Sequence, residues 1–513
     1  MPRLPILSWI GNAAAVLFGK RGDVSRQAHD AGCSRQTAYQ HADRVQQAVA
    51  DSQLPGPSRV DLLEENRKLK ERLAQLEQRL LYVVVLDRDK QQQLTVTTSA
   101  MGLSLGQIRD VLALLLDGRN VPGRATLGRW LRRQAQQAGQ VLQVLDEHSR
   151  PLAKDLCPDE IFFHRQPVLV GVEPHSMALL LCQRAKDRTG DTWRQALAPF
   201  TALELAVCDQ GTGLQAGLKA VAEDRRQTKG KPLEIGLDVF HIEHEARPVL
   251  GRWWRQLEAC WERAEAADRK VAATRDDLRG PVSRARAAWQ DVRWEWSFYE
   301  RQEGAWKRAK AALELFRPDG RLNDRAWAEA EIEAACKTLA GPVWKKVRGL
   351  LRDDRTLTFL DRLQRRLAEA EPRAELREAL VGLWRWERGP RTGAVVAAAV
   401  VQRVVCSKLA QDWEASYGRV AAVLASVVRA SSAVECVNSV LRMQQARHRG
   451  LGQELLDLKR LYWNTRAFRW GKRKGKSPYQ LLGVTLPNDD FWQLLQTDPQ
   501  KLKQLLSTSR VAA

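Results

Sequence analysis

From residue 159 the chain abandons the helical spacing of apolar residues that governs its first 150 positions, and that switch constrains its fold more than any other feature. Asp159 to Phe163, Val168 to Glu173 and Met177 to Cys182 are short apolar runs parted by Pro167 and by Pro174-His175-Ser176. Such runs read as strands, and connections this short make an antiparallel meander. Residues 191–200 suit a helix, and Leu203 to Cys208 reads as a fourth strand ending on Asp209-Gln210-Gly211-Thr212-Gly213. A helical stretch follows, then a fifth strand, Leu233 to Leu237, which ends on Asp238-Val239-Phe240-His241. Five short strands set among helices predict an α+β chain with one mixed sheet.

The rest is organised around that sheet. With 513 residues the chain has room for three or four domains. Apolar residues at 44% and charged ones at 28% exclude a disordered, fibrous or integral membrane protein. The excess of 82 Lys+Arg over 61 Asp+Glu, +21, favours a polyanionic partner, nucleic acid first. Eight cysteines without a CxxC pair suit reduced, buried thiols in a cytosolic protein and neither a disulfide framework nor a zinc site. The apolar stretch Leu4 to Phe18 follows Arg3 as a secretory signal would, but Pro5, Ser8 and Asn12 interrupt it, so a first core helix is expected. Gly393 to Val401 is too short to cross a bilayer, and no membrane partner is expected.

Two helix pairs precede the sheet. In the first, Val24, Ala28 and Ala31 share a face, Gly32-Cys33 turns the chain, and Ser34 caps a helix carrying Ala38, Ala42 and Val45 inward. Arg35, Gln36, Tyr39, Gln40 and Arg44 then face outward, with the side chains that pair with base edges and phosphates. An ordinary helical hairpin with a solvated face is the competing reading. In the second, Leu105 to Leu115 and Arg124 to Gln137 flank breaks at Asp117-Gly118 and Val121-Pro122-Gly123, with Arg124, Arg129, Arg132 and Arg133 nearby. Between the pairs, Leu62, Asn66, Leu69, Leu73, Leu76 and Leu80 follow a heptad, with Glu65, Arg72 and Arg79 at g and Lys70 and Glu77 at e. A lone Asn at an a position sets register in a parallel dimer, so a homodimer or higher oligomer is expected.

Late in the chain, Glu435, Asn438 and Arg442 fall three and seven residues apart in Ser431 to Arg442 and share a helical face. From Arg442 to Lys476 there are eleven Lys/Arg against Glu454 and Asp457, among them Arg447, Arg449, Lys472, Arg473 and Lys474. A stripe this basic suits a phosphate track.

Taken in order, the Asp159-Glu160 opening, Cys208-Asp209-Gln210-Gly211-Thr212-Gly213, Asp238-Val239-Phe240-His241, the Glu435 helix and the Arg447-to-Pro478 tail resemble the DDE-type transposases of bacterial insertion sequences. The resemblance covers residues 150–245 and 425–485 well and the remainder loosely. It implies an RNase H-like core, catalytic acids at Asp159, Asp209 and Glu435, and two Mg²⁺ ions, replaceable by Mn²⁺, on those acids. In that chemistry water frees a 3′-OH at the element end, and the 3′-OH then attacks target DNA. Double-stranded DNA, as element ends and as target, would be the partner, in the bacterial cytoplasm at the nucleoid.

The residues themselves leave alternatives open. Glu160 and Glu173 compete with Asp159, since a one-residue slip turns a strand side chain to the other face. Asp209 also suits a turn or cap, and Asp238 and His241 read as structural or DNA-contacting before metal-binding. The expected division is helix-turn-helix 1–58, coiled coil 59–90, second helix-turn-helix 91–150, catalytic core 151–248, all-helical insertion 249–424, and core helices with basic tail 425–513. Eleven of 18 tryptophans lie between Trp253 and Trp386, expected as core of the insertion. The rival functions are a non-catalytic DNA-binding regulator derived from a transposase, and a nuclease that cuts without joining.

Overall fold

The computed structural model describes residues 4–51, 58–80, 86–339, 341–447 and 451–511. They form two compact units, Met1–Leu86 and Asp87–Ala513.

In the first unit α1 (Ile6–Phe18), α2 (Asp23–Asp30) and α3 (Arg35–Asp51) pack on a core of small side chains, Ala13, Ala28, Ala38 and Ala42. Gly32 takes φ +63 at the turn, a conformation only glycine adopts cheaply, and the Ser34 hydroxyl accepts the Thr37 amide at 3.1 Å to start α3. The Asn12 amide reaches Cys33 Sγ and the His41 ring, while Trp9 lies 4.4 Å from that ring. The expected core helix at the N-terminus forms, but Ile6, Leu7 and Phe18 stay exposed, because alanine-sized neighbours cover only one side of it. Beyond it α4 (Arg59–Leu80) exposes Leu62, Leu69, Leu73 and Leu76, so the heptad seam faces solvent.

The second unit opens with α5 (Arg88–Met101), α6 (Leu105–Leu115) and α7 (Arg124–Ser149). Ser104 and Gln107 cap α6 reciprocally. Residues 91–150 share one core with the sheet: Ala135, Ala138, Val141, Leu142 and Leu145 keep the inward spacing past Gln137, so α7 runs on to Ser149 against the strands.

Five strands follow, β1 (Asp155–Phe163), β2 (Gln166–Glu173), β3 (Ala178–Arg184), β4 (Leu205–Cys208) and β5 (Glu234–Leu237), with α8 (Gly190–Leu197) before β4 and α9 (Thr212–Gln227) before β5. Their order is β3-β2-β1-β4-β5; the first three pair antiparallel, and β4 and β5 run parallel to β1. The fold is mixed α+β around this one sheet. Both faces are buried, which explains runs too apolar to alternate.

Eight helices leave β5: α10 (Val239–Ala273), α11 (Arg279–Ala312), α12 (Arg325–Thr338), α13 (Lys345–Leu351), α14 (Thr358–Ala370), α15 (Ala374–Glu387), α16 (Gly393–Leu409) and α17 (Trp413–Ala425). The helical segment starts at Val239 instead of 249, since Asp238 caps α10 directly. Contacts of Trp254 with Tyr299, Trp261 with Trp289 and Glu243 with Lys310 show α10 and α11 as an antiparallel hairpin. The tryptophans of this helical segment do not all pack as expected: Trp306 and Trp344 are core, whereas Trp254, Trp261, Trp294 and Trp296 are exposed. From α14, buried Arg362 reaches Asp155 at 3.1 Å, Glu204 at 3.2 Å and Glu234 at 3.6 Å, which locks this segment onto β1, β5 and the residue that leads into β4.

The chain closes with α18 (Ser432–Arg447), α19 (Gln453–Thr465), α20 (Pro478–Leu482), α21 (Phe491–Gln496) and α22 (Pro499–Val511). Val434, Val437 and Leu441 of α18 cover one sheet face with Ile161, Val170 and Val207. Leu458 and Leu461 of α19 join the opposite face with α7, where fully buried Arg460 ties Asp146 to the main chain of β3.

Candidate active site

Asp159 sits mid-β1, flanked by β2 and β4. The β1–β4 ladder pairs Asp155 with Leu205 and Leu156 with Ala206 and then stops, so the strands part beyond it. Asp209 directly follows the last residue of β4. The β4–β5 ladder pairs Cys208 with Leu237, which sets Asp238 level with Asp209. Asp209 and Asp238 therefore follow the ends of two neighbouring parallel strands, next to the strand that carries Asp159.

They meet different surroundings. Asp159 accepts the Asn438 amide at 2.6 Å on one oxygen and the Glu160 main-chain N–H at 2.7 Å on the other. Burial, and then the nearby charges of Asp209, Glu435 and Glu160, push its carboxyl up to about 7. Asp209 accepts the Gly211 N–H at 2.9 Å, an Asx turn that leads into α9, and its carbonyl takes the Gln215 amide at 2.6 Å. It makes the turn and also bears on Asp159. Glu435, in the first turn of α18, is half-buried and lies 3.9 Å from Arg442.

Asp238 is spent on structure. It accepts the Phe240 N–H at 2.8 Å, the Ser431 N–H at 3.1 Å and the Ser431 hydroxyl at 2.5 Å, while the Val239 N–H bonds to Arg429 O. The end of β5 thereby grips the segment that launches α18 and aims Glu435 and Asn438. His241 faces Glu245 at 3.5 Å, away from this set.

The competitors for the first acid separate too. Glu160 turns to Arg188 at 2.6 Å, and Glu173 accepts the His175 and Ser176 N–H groups and the Ser176 hydroxyl in the β2–β3 turn. Only Asp159 faces α18. Asn438 is fully buried, and its Oδ1 has no hydrogen-bond partner among the described residues. Its i+3 spacing from Glu435 was readable, but its bond to Asp159 was not.

Carboxylates and an orphaned amide oxygen are the hard donors that divalent magnesium prefers, so the donor set fits by chemistry. As the side chains stand, no three carboxylate, imidazole or thiolate groups among the described residues converge closely enough to hold an ion.

Of the basic candidates, Arg35, Gln36, Gln40 and Arg44 are exposed on α3, with Arg44 over the Trp9 ring. Arg129 and Arg132 are exposed on α7, and Arg442 and Arg447 on α18. Lys472 and Lys474 are exposed, but Arg473 donates to His175 O at 2.8 Å and Pro174 O at 3.0 Å and so braces the β2–β3 turn. Arg449 lies outside the described residues. Comparison with protein-family models, curated proteins and solved structures finds no match for this chain.

Proposed function

We propose that this chain is a DDE-type transposase, a DNA-cleaving and strand-joining enzyme built on an RNase H-like core with a helical insertion between β5 and α18. One observation carries the reading: α18 seats Asn438 on the Asp159 carboxylate at 2.6 Å, and Asp209 and Glu435, 50 and 276 positions along the chain, both bear on that carboxyl. The strand order supports the core assignment, and the net charge of +21 supports DNA as partner.

In this reading Asp159, Asp209 and Glu435 hold two Mg²⁺ ions. Bound there, the metals would activate the attacking oxygen and neutralise the leaving one. Asn438 holds the Asp159 carboxylate in one rotamer, and Asp238 with Ser431 holds α18 against the sheet. The outward side chains of α3 and of the start of α7 read element ends, Arg442, Arg447, Lys472 and Lys474 follow phosphates, and α4 pairs with its copy in a parallel coiled coil.

The test is cleavage and joining on supercoiled DNA carrying the gene's own flanks, with Mg²⁺, beside Asp209→Asn. Nicks at the flank boundaries and joined products, both lost in the variant, support the proposal. Nicks without joined products assign a nuclease. Salt-sensitive binding with no cleavage in either protein assigns a DNA-binding regulator.

A further inference from the structure

The acids make no use of the loop between α19 and α20. It closes on itself: the Phe468 N–H bonds Lys476 O at 3.0 Å, the Gly475 N–H bonds Phe468 O at 2.9 Å, and the Lys474 N–H bonds Gly471 O at 3.1 Å. Arg473 fastens it to the β2–β3 turn and lies over the Phe468 ring at 6.0 Å. Within this hoop Trp470 is 82% exposed, the most exposed tryptophan among the described residues. Most of an indole's surface, on the order of 150–250 Å², is left in water on a backbone that is held still.

The charge around it names the occupant. Residues 466–476 hold six cations, Arg466, Arg469, Lys472, Arg473, Lys474 and Lys476, and no acid. Arg473 is committed to the turn, and the other five are exposed with no ion pair to a described residue. The exposed tryptophans of the α10–α11 hairpin differ. There Trp254 and Trp261 donate to Glu258 at 2.6 Å and Glu265 at 3.1 Å, which puts a carboxylate where a phosphate would have to pass. A lipid surface takes a broad apolar helix face, whereas the loop exposes no second large apolar side chain. A flat π-face ringed by unpaired cations is the arrangement that binds a nucleic-acid single strand, base on the ring and phosphates on the charges. Duplex DNA offers no free face, because its bases already stack on one another and extruding one costs energy.

We propose that the 466–476 loop docks an unpaired stretch of DNA, with one base stacked on Trp470 and the neighbouring phosphates held by Arg469, Lys472 and Lys474. The turn that anchors it carries His175, which reaches Asp155 at 2.8 Å, four residues and so about 13 Å along β1 from Asp159. The loop therefore lies beside the carboxylates and is not one of their ligands. The inference rests on DNA as the partner in the proposed function, but not on cleavage.

The experiment is fluorescence anisotropy of the full chain with labelled oligothymidylate and with its oligoadenylate duplex, in EDTA so that no strand is cut. Trp470→Ala should weaken single-strand binding by about tenfold, the worth of one stacked base. Duplex binding, the salt slope and the melting curve should stay unchanged, since no charge is lost and the side chain is exposed. Trp470→Phe should restore most of the affinity, because its ring still stacks. Equal weakening on both DNAs, or none on the single strand, overturns the proposal. Flotation with phosphatidylcholine–phosphatidylglycerol vesicles, lost in Trp470→Ala, would assign the loop to lipid and overturn it as well. Failure to bind either DNA overturns it together with DNA as the partner, whereas a chain that meets these expectations and cuts nothing keeps it and loses the transposase.

Discussion

Asp159 lies mid-β1 and Asp238 just past the end of β5, and the first is crowded by like charges while the second is wrapped in donors. Asp238 accepts three hydrogen bonds and stitches β5, α10 and the approach to α18 together. Asp159 has two donors, and three further carboxylates crowd it. The contrast separates a carboxylate that holds the fold from one that the fold holds at a cost. Structural acids are surrounded by donors, whereas an acid kept among like charges is held in its ionised form at a cost.

The largest effect that sharpens the contrast is on activity. Asp159→Asn should lower cleavage by about a thousandfold or more, since metal-borne charge stabilisation is worth several kcal/mol. Initial nicking rates check it, and a residual rate within tenfold of wild type would place the site elsewhere.

Asp238→Ala should destabilise the second unit by about 2–4 kcal/mol, because it removes a helix cap and strands the buried Ser431 donors. Urea unfolding followed by tryptophan fluorescence measures this. A loss below about 1 kcal/mol would put Asp238 in the same class as Asp159.

On stability Asp159→Asn should act in the opposite direction. The folded carboxyl titrates near 7 and the unfolded one near 3.8, so its cost is absent below about pH 4, grows as pH rises and is complete above 7. The variant should therefore gain on the order of 1–3 kcal/mol at pH 8 and nothing near pH 4. Thermal melts at the two pH values, without divalent metal, decide it; an equal shift at both would mean that titration is not the cause.

The smallest expected change comes from Arg442→Ala. Its ion pair with Glu435 is half exposed, worth less than about 1 kcal/mol to stability. DNA affinity should fall with the logarithmic salt slope reduced by about one. Fluorescence anisotropy across a salt series reads this, and an unchanged slope would remove Arg442 from the phosphate track.

Much of this layout was readable beforehand because its signals are local. The strand runs, the Gly32 turn, the Ser34 cap and the breaks at Asp117-Gly118 are set by neighbours a few residues away. The end of α7 was missed for the complementary reason. Nothing between Gln137 and Ser149 stops a helix, and only packing on the strands shows why it continues. Arg473 shows the same limit: its charge read as a phosphate contact, while its guanidinium is occupied by carbonyls of a turn some 300 positions away. The exposed tryptophans of the α10–α11 hairpin went the other way, since helical spacing cannot say how many neighbours a helix has.

By itself the sequence determined the α+β class, the five strands and the short list of acids, because hydrophobic period and turn chemistry act over a few residues. Tertiary structure alone decided which acid faces which. Side chains 279 positions apart, Asn438 and Asp159, meet through the register of β1 with its neighbours and the seating of α18. Register and seating are settled by the burial of both sheet faces at once, a condition no local stretch of the chain contains.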